Sequence, residues 1–308
     1  MLEKIIYILG FAFLFYVGYY LITSIGIFKK RKKVTNNNDD KKNFFAVIIA
    51  ARNEENVIGK LIDSLKKQSY PSEYFDIYVI VNNCTDNTAI EAKKAGAKVI
   101  SCTEKVSTKG EVLKYTFDLF KDNNKIDAYA IFDADNIVHH DFLAKMNDMI
   151  NSGYSVAQGF RDTKNISDNW LTSSYAILYY FQSLFLNESR YNMGRSSFLN
   201  GTGFVIKKEV IDKHGFNPKT VTEDVEFTAM CAINNEKIGF ATDAITYDEQ
   251  TNSFDVSWKQ RKRWSFGTME CLREYFPTLL KKGIKERNFE CFDVGLFYLS
   301  VISHVVFN

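Results

Sequence analysis

The 308-residue chain lacks the patterns that define several common classes of protein. Its five cysteines are odd in number, and none of them has the spacing of a metal site. This excludes a disulfide framework and favours reduced intracellular thiols. The formal net charge is only +2, so the charge of the whole chain does not indicate a nucleic-acid-binding protein. The cysteines are Cys84, Cys102, Cys231, Cys271 and Cys291.

Glycine motifs for phosphate binding are also missing. The sequence contains no Gly-x-Gly-x-x-Gly and no phosphate loop, which argues against dinucleotide-binding and kinase-like proteins. What it does contain is 46% hydrophobic residues, enough for a packed core, and 15% aromatic residues. The aromatic content suits contact with a membrane or stacking on sugars. A codon bias toward Phe and Tyr is the alternative explanation.

The N-terminal segment is long and apolar. Ile5 to Phe28 comprises 24 residues without a charge, and as a helix it would extend roughly 36 Å against about 30 Å of bilayer hydrocarbon. We therefore expect a transmembrane helix over residues 1–28; a signal peptide fits less well, because no cleavage site follows. The five cations of Lys29 to Lys33 place residues 29–43, a basic linker, in the cytoplasm. The N-terminus would then lie outside the plasma membrane and the catalytic part inside.

Apolar strand patterns alternate with helical patterns from residue 44 onward. A parallel sheet with helices on both faces is the expected result, with ligands bound beyond the carboxyl ends of the strands. We assign residues 44–275 to one catalytic domain. The predicted strands are 45–51, 77–81, 97–101 and 128–132, and the predicted helices between them are 54–68, 86–95 and 110–120.

The second half of the chain is more mixed. Residues 276–308 are expected to form an amphipathic segment on the membrane surface, or an ordinary surface helix, followed from Phe292 by the start of a second transmembrane helix. Before that segment, strands are predicted near 155–160 and 203–206, and helices near 169–188, 223–233 and 254–275.

Two carboxylates follow the fourth predicted strand. Asp133 and Asp135 alternate with Ala134, so the period of two directs both carboxylates the same way. Oxygen ligands with free positions suit Mg²⁺ or Mn²⁺. A solvated loop pair is the alternative, which the position at a strand end disfavours. The nearby His139 and His140 are expected to be surface residues rather than ligands.

Thr222-Glu223-Asp224 precedes a helical pattern. Thr222 is expected to cap this helix, and the helix N-terminus favours acidic residues. The cap does not compete with a catalytic role, because a helix N-terminus would keep Asp224 ionised and able to take a proton from a hydroxyl.

A basic helix carries the last motif. Gln260, Arg263 and Trp264 are spaced i, i+3, i+4 and share one helix face. Arg263 can form paired hydrogen bonds to a diphosphate, and Trp264 offers a ring face to a sugar. A membrane-surface or RNA-contacting helix is the alternative interpretation.

These motifs together resemble those of the family 2 inverting glycosyltransferases, especially the membrane-bound synthases of cellulose, chitin, hyaluronan and poly-N-acetylglucosamine. The resemblance covers about residues 44–270. It implies an α/β fold, the Rossmann-like A-type fold of transferases that use nucleotide-diphospho-sugars; the apolar N-terminal run adds the expected transmembrane helix before it. It also implies Mg²⁺ or Mn²⁺ as cofactor. The expected partners are a nucleotide sugar (a UDP-sugar), a saccharide or lipid-linked acceptor and a lipid bilayer, but no nucleic acid.

The resemblance also implies roles for individual residues. Asp224 would be the general base, and Asp133 and Asp135 would hold the metal on the diphosphate. Residues 198–203 fall where the family has its acceptor-side loop. The residues expected at the donor are Ala51, Arg52, Asn53, Glu54, Asn82, Lys109 and Asp133. Those expected beside the diphosphate and acceptor are Glu223, Gln260, Arg263 and Trp264.

The expected function is a membrane-anchored transfer that inverts an α-linked donor into a β-linked product of cell-surface or exopolysaccharide synthesis. Two departures from the family pattern qualify it. The family usually has aspartate at the position of Asn82, which weakens the uracil assignment, and polymerising members have several transmembrane helices after the last motif, which argues against processive extrusion. The alternatives are an inactive, membrane-tethered nucleotide-binding or scaffold subunit and a basic peripheral membrane protein without a nucleotide.

Overall fold

The computed structural model describes residues 2–31, 34 and 41–307. Its strands are β1 (Phe45–Ala51), β2 (Phe75–Val81), β3 (Lys98–Ser101), β4 (Ala128–Asp133), β5 (Ile137–Val138), β6 (Val156–Thr163), β7 (Phe204–Lys207) and β8 (Ile238–Asp248). Its α-helices are α1 (Leu2–Ser24), α2 (Ile58–Lys66), α3 (Thr88–Lys94), α4 (Lys109–Leu119), α5 (Phe142–Asn151), α6 (Trp170–Phe181), α7 (Ser189–Asn192), α8 (Lys208–His214), α9 (Glu223–Ile233), α10 (Phe254–Lys285) and α11 (Phe289–Phe307).

One eight-stranded sheet organises the described residues, in the order β3-β2-β1-β4-β7-β6-β8-β5. β1, β2, β3 and β4 are parallel, as the alternating pattern predicts. β7 is inserted antiparallel between β4 and β6, and β8 is parallel to β6. The register pairs Ala50 of β1 with Asp133 of β4. The two loops that follow these strands therefore begin at the same edge of the sheet.

Both faces of the sheet are buried. Val47 and Ile49 belong to the core on one face, and Ala46 and Ile48 to the core on the other. This accounts for the continuous apolar run of β1, because an inner parallel strand is covered by helices on both sides. β8 was not predicted, because polar positions interrupt its apolar pattern.

α10 is a single 32-residue helix that continues through Pro277. The expected separate amphipathic segment from residue 276 is therefore wrong at its start, because these residues are the last turns of the same helix. Leu279 is fully buried there and packs in a cluster with Cys271 and Tyr298. The second half of α10 thus belongs to a helical core formed with α9 and α11.

The N-terminal helix forms as predicted and packs against the rest of the protein. The Tyr19 hydroxyl donates to Asp293 Oδ1 at 2.9 Å, and Arg190 Nε donates to Asp293 Oδ2 at 3.0 Å. In the part of the chain that the structure describes, no helix has the length and apolar character needed to cross a membrane. The prediction of a transmembrane helix over residues 1–28, and of a second from Phe292, is therefore not supported. Of the cationic run, Lys32 and Lys33 lie outside the described residues.

Candidate active site

The loops after β1 and β2 bind to each other. The backbone amide of Thr85 donates to Asn53 Oδ1 at 2.8 Å, and the amide of Glu54 donates to Thr88 Oγ1 at 2.8 Å. Asn53 has a φ of 59°, a left-handed conformation that asparagine tolerates better than most residues. Ala51 is buried at the end of β1 and Arg52 is exposed beside it. This places the four expected donor residues of the first loop next to the second loop.

Asn82 is the buried polar residue of this region. It is 5% exposed, and its Nδ2 donates to the carbonyl oxygen of Val106 at 3.4 Å. Its Oδ1 is buried and has no hydrogen-bond partner among the described residues. An unpaired buried acceptor is costly, so a ligand that donates a hydrogen bond would be favoured at this point.

Lys109 connects Asp133, one of the two expected metal ligands, with the loop of residues 198–203, which is expected on the acceptor side. It is the first residue of α4, whose N-cap residue Thr108 forms a capping box with Glu111. The Lys109 ammonium donates to Asp133 Oδ1 and, at 2.6 Å, to the carbonyl oxygen of Gly201. Burial opposes its charge, but Asp133 and Glu223 outweigh burial and raise the pKa of Lys109 above its ordinary value. Lys109 therefore remains cationic between acidic residues.

Three carboxylates lie around that of Asp135. Burial, reinforced by Asp248, Asp133 and Glu54, raises the pKa of Asp135 to about 8. Burial and the charge of Asp133 also raise the pKa of Glu54. Such a cluster of carboxyl oxygens in a half-buried site provides the ligands that Mg²⁺ and Mn²⁺ prefer. The donor set therefore fits a divalent cation.

Asn136 connects two of these aspartates, Asp133 and Asp248, by hydrogen bonds. Asn136 is fully buried, and its Oδ1 accepts from the backbone amide of Asp133 at 3.1 Å and from the Thr202 hydroxyl. Its Nδ2 donates to Asp248 at 2.8 Å. Asn136 was not predicted as a site residue, although it directly follows the acidic motif. Asp248 was not predicted either, since it belongs to β8.

Arg161 is a further site residue that no sequence motif predicts. Its guanidinium binds Asp248, donates to the carbonyl oxygen of Asn200 at 2.8 Å and stacks 3.8 Å from the ring centre of Tyr179. Burial opposes its charge, and Asp248 and Tyr179 raise its pKa above the ordinary arginine value. No local pattern marks this arginine, because its partners come from distant parts of the chain.

Glu223 and Asp224 begin α9. Burial raises the pKa of Glu223 to about 7. The positive charge of Lys109 opposes this increase, and the negative charge of Asp224 adds to it. Burial also raises the pKa of Asp224, although backbone amides, Lys109 and Arg161 lower it. The expectation that the helix N-terminus governs ionisation is therefore incomplete, because burial dominates. Thr222 is the N-cap residue as expected, but its side chain makes no capping hydrogen bond.

The loop of residues 198–203, expected on the acceptor side, lies beside both Asp224 and Lys109. A Cβ placed on Gly201 would lie 3.5 Å from Asp224 Oδ2, and the carbonyl of the same residue binds Lys109. Gly203 has a φ of 61°, and a Cβ there would lie 2.5 Å from Thr246 Oγ1. Glycine is therefore required at position 203, and the loop brings Asp224 close to the metal motif.

The basic helix, α10, is connected to this site through side chains of α6. Trp264 packs on Leu171, Tyr175 and Tyr179 of α6, and Tyr179 in turn carries the guanidinium of Arg161. Gln260 is half-buried and Arg263 is exposed on α10. Within the described ranges, no hydrogen bond or ion pair joins these two side chains to the acidic residues. Of this motif, the described contacts therefore connect Trp264 with the site, through α6.

The two histidines lie outside this network. His140 is exposed and His139 partly buried, and His140 Nε2 lies 3.2 Å from Asp141 Oδ2. Nitrogen and oxygen atoms of His139, His140 and Asp141 come within 4.8 Å of one another. Three consecutive, largely accessible residues are a weak basis for a metal site, so we assign them no role.

Comparison with known proteins gives the family. A family model described as glycosyltransferase like family 2 matches residues 42–267. The probable glycosyltransferase YdaM of Bacillus subtilis is 25% identical over 282 residues, 83% of this chain and 63% of that protein. A beta-monoglucosyldiacylglycerol synthase of Synechocystis is 25% identical over 241 residues, 73% of this chain and 48% of that protein. The chain thus spans less than two thirds of each relative.

A solved structure agrees with the fold. The mannosyltransferase PcManGT of Pyrobaculum calidifontis, in complex with GDP-Man and Mn²⁺, superposes with a TM-score of 0.73 at 15% identity, covering 99% of this chain and 85% of that one. The expected A-type α/β fold is confirmed. The finer resemblance to the synthases of cellulose, hyaluronan or poly-N-acetylglucosamine is not. Because the family model covers most of the chain, the protein belongs to the family 2 glycosyltransferases and is a transferase enzyme.

Proposed function

We propose that the protein transfers a sugar, with inversion, from a nucleotide-sugar donor to a hydroxyl group of a saccharide or lipid-linked acceptor. This proposal rests on the contacts that Lys109 makes with three parts of the site. This ammonium contacts Asp133 of the metal motif, lies 3.9 Å from Glu223 and binds the loop that faces Asp224. The groups needed for leaving-group stabilisation and for proton removal therefore line one cleft.

The donor would bind where the loops after β1 and β2 meet. Asp133 and Asp135 would hold Mg²⁺ or Mn²⁺, which when bound supplies positive charge to the leaving diphosphate. Residues 51–54 would contact the nucleoside. The free Oδ1 of Asn82 accepts a hydrogen bond, and uracil and guanine both offer a ring N–H. Our proposal therefore includes UDP-sugars and GDP-sugars as donors.

Asp224 is proposed as the general base. It is buried at the start of α9, faces Gly201 and carries a raised pKa, which makes its carboxylate more basic than an exposed aspartate. It would take the proton of the acceptor hydroxyl as that oxygen attacks the anomeric carbon from the face opposite the diphosphate. An α-linked donor would then give a β-linked product.

The acceptor side contains polar atoms that the described residues leave unpaired. Both amide atoms of Asn200 and the hydroxyl of Tyr179 are buried without a hydrogen-bond partner in the described part of the chain. Sugar or glycerol hydroxyls would satisfy them. The name of the Synechocystis relative supports a lipid acceptor, and we propose that the reaction occurs at the cytoplasmic face of the cell membrane, for glycolipids or cell-surface polysaccharides.

The test is a screen of nucleotide sugars with the purified protein and its Asp224→Asn variant. We expect release of nucleoside diphosphate with one class of donor, and a loss of at least about 10²-fold in the variant. Titration of that donor should give the same affinity for both proteins. Binding without turnover in the wild-type protein would instead identify the inactive subunit, and loss of binding in Asp224→Asn would make this residue structural.

A further inference from the structure

All three tryptophans of the chain lie on two neighbouring helices. Trp170 is on α6, whereas Trp258 and Trp264 are on α10. The helices are joined by a 2.7 Å hydrogen bond between the Tyr175 and Ser257 hydroxyls, and by an edge contact of the Tyr175 and Trp264 rings. Trp170 is 69% exposed and Trp258 is 44% exposed. Two of the largest apolar side chains therefore face solvent on adjacent elements.

The outward side of α6 is apolar. Trp170, Ile177 and Phe181 are spaced i, i+7, i+11, so they share one face, and each is more than half exposed. Leu178 and Tyr180 are also exposed. No charged residue occurs between positions 169 and 187. A helix on a water-exposed surface ordinarily has charged residues on its outer side, so this face indicates a binding surface.

The outward side of α10 combines aromatic rings with cations. Trp258, Phe266 and Met269 are exposed there, and Lys262 lies between them one turn after Trp258. The Trp258 ring has the Arg261 guanidinium 5.6 Å and the Lys262 ammonium 5.2 Å from its centre. From position 258 to 269 the helix has four cations and no acidic residue. This face therefore favours an apolar partner with negative charge.

We propose that the exposed sides of α6 and α10, here called the α6–α10 face, lie on the surface of an anionic lipid bilayer. Tryptophan beside arginine and lysine is the composition that favours the headgroup region, where apolar side chains enter the acyl boundary and cations meet phosphates. A second copy of the chain fits less well, because a two-fold contact would set the same four cations of each copy against one another.

The α6–α10 face lies over the acceptor side of the cleft. Trp264 packs on Tyr175 and Tyr179 directly beneath it, and Tyr179 contacts Arg161. A lipid-borne acceptor would thus enter from the membrane side, a consequence that rests on the proposed function. The surface differs from the amphipathic segment expected after residue 276, since α10 buries Leu279 in that segment.

The tryptophans provide a direct test. Vesicles of phosphatidylcholine with brominated acyl chains should quench the fluorescence of the full-length protein when phosphatidylglycerol is also present. Helix α1 has no tryptophan, so only the α6–α10 face reports. Trp170→Phe and Trp258→Phe should each remove part of the quenched signal. Absence of quenching, or a fluorescence change that depends on protein concentration without lipid, would overturn the proposal.

Surface variants separate this proposal from the proposed reaction. Lys259→Gln/Lys262→Gln and Ile177→Ser/Phe181→Ser should each weaken partitioning into these vesicles by about tenfold or more. The matched control is Ile90→Ser/Leu119→Ser, which changes exposed apolar residues of α3 and α4 and should leave partitioning unchanged. Donor affinity should be equal in all of them. Equal partitioning of every variant would refute the membrane surface and leave the transfer reaction intact.

Discussion

The ammonium of Lys109 pairs with Asp133 and, on its other side, binds the carbonyl oxygen of Gly201. These residues are 24 and 92 positions away from Lys109 in the chain. The same ammonium lies 3.9 Å from Glu223 at the start of α9. One cation thus couples the carboxylate proposed to hold the metal with the loop that faces the proposed base.

Replacing Lys109 tests this coupling. We expect Lys109→Met to bind Mn²⁺ more tightly, because a cation that competes for Asp133 is removed. Transfer should fall by about 10²-fold, because the leaving diphosphate loses a positive charge. Calorimetric titration with Mn²⁺ and a steady-state assay measure the two effects. Lys109→Arg should retain part of the activity. The control Lys114→Met, which removes a partly exposed lysine of the same helix, should match the wild type.

The raised pKa of Asp135 predicts that metal binding releases a proton. The Asp135 pKa is raised to about 8, so at pH 7 most molecules hold a proton that a bound cation must displace. We expect Mn²⁺ binding to release about one proton at pH 7 and none at pH 9.5. Calorimetry in buffers of different ionisation enthalpy measures this number. EDTA should abolish transfer and Mn²⁺ or Mg²⁺ restore it, whereas full activity in chelator would exclude the metal role.

The raised pKa of Glu223 predicts that the stability of the folded protein depends on pH. The folded pKa of Glu223, about 7, exceeds the ordinary 4.5, mainly through burial. The folded state therefore holds more protons than the unfolded state between these values, and the free energy of unfolding decreases as pH rises from about 4.5 through 7. Glu223→Gln should have a higher Tm than the wild type at pH 8 and a similar Tm at pH 4.5. Thermal unfolding monitored by circular dichroism decides this, and a parallel pH response of both proteins would contradict it.

Asn200 predicts a role in acceptor binding. Its amide atoms are buried and unpaired among the described residues, so they are available to acceptor hydroxyls. Asn200→Ala should lower kcat/KM for the acceptor by about 10- to 100-fold, the value of one or two lost hydrogen bonds. Donor affinity should not change. The control is Asn165→Ala, which replaces a loop asparagine that donates a hydrogen bond to the carbonyl oxygen of Gln250. An equal loss of donor and acceptor affinity would indicate a structural role.

Part of the site could be predicted because it depends on local patterns. Asp133 ends a strand whose preceding residues are buried, Asp135 follows it, and an inner parallel strand ends at the ligand-binding edge of its sheet. The spacing of Gln260, Arg263 and Trp264 likewise sets them on one face of α10. Both inferences need only the period of the element and its place in the chain.

The rest depends on distant partners. Arg161 acquires its position from Asp248 and Tyr179, which are brought to it by the parallel pairing of β6 with β8 and by α6. The ionisation of Asp224 differs from the expectation because burial, which a local pattern does not reveal, raises its pKa. Thr222 is the N-cap residue of α9 as expected, but its side chain does not make the capping hydrogen bond.

The sequence by itself determined the strand and helix alternation, the acidic motif at a strand end and the basic helix, because hydrophobic period and residue chemistry are local properties. Only the tertiary structure decided which cation meets which carboxylate, how strongly burial raises each pKa and which apolar side chains remain exposed on α6 and α10. These properties arise from contacts between residues far apart in the chain, and they complete the site.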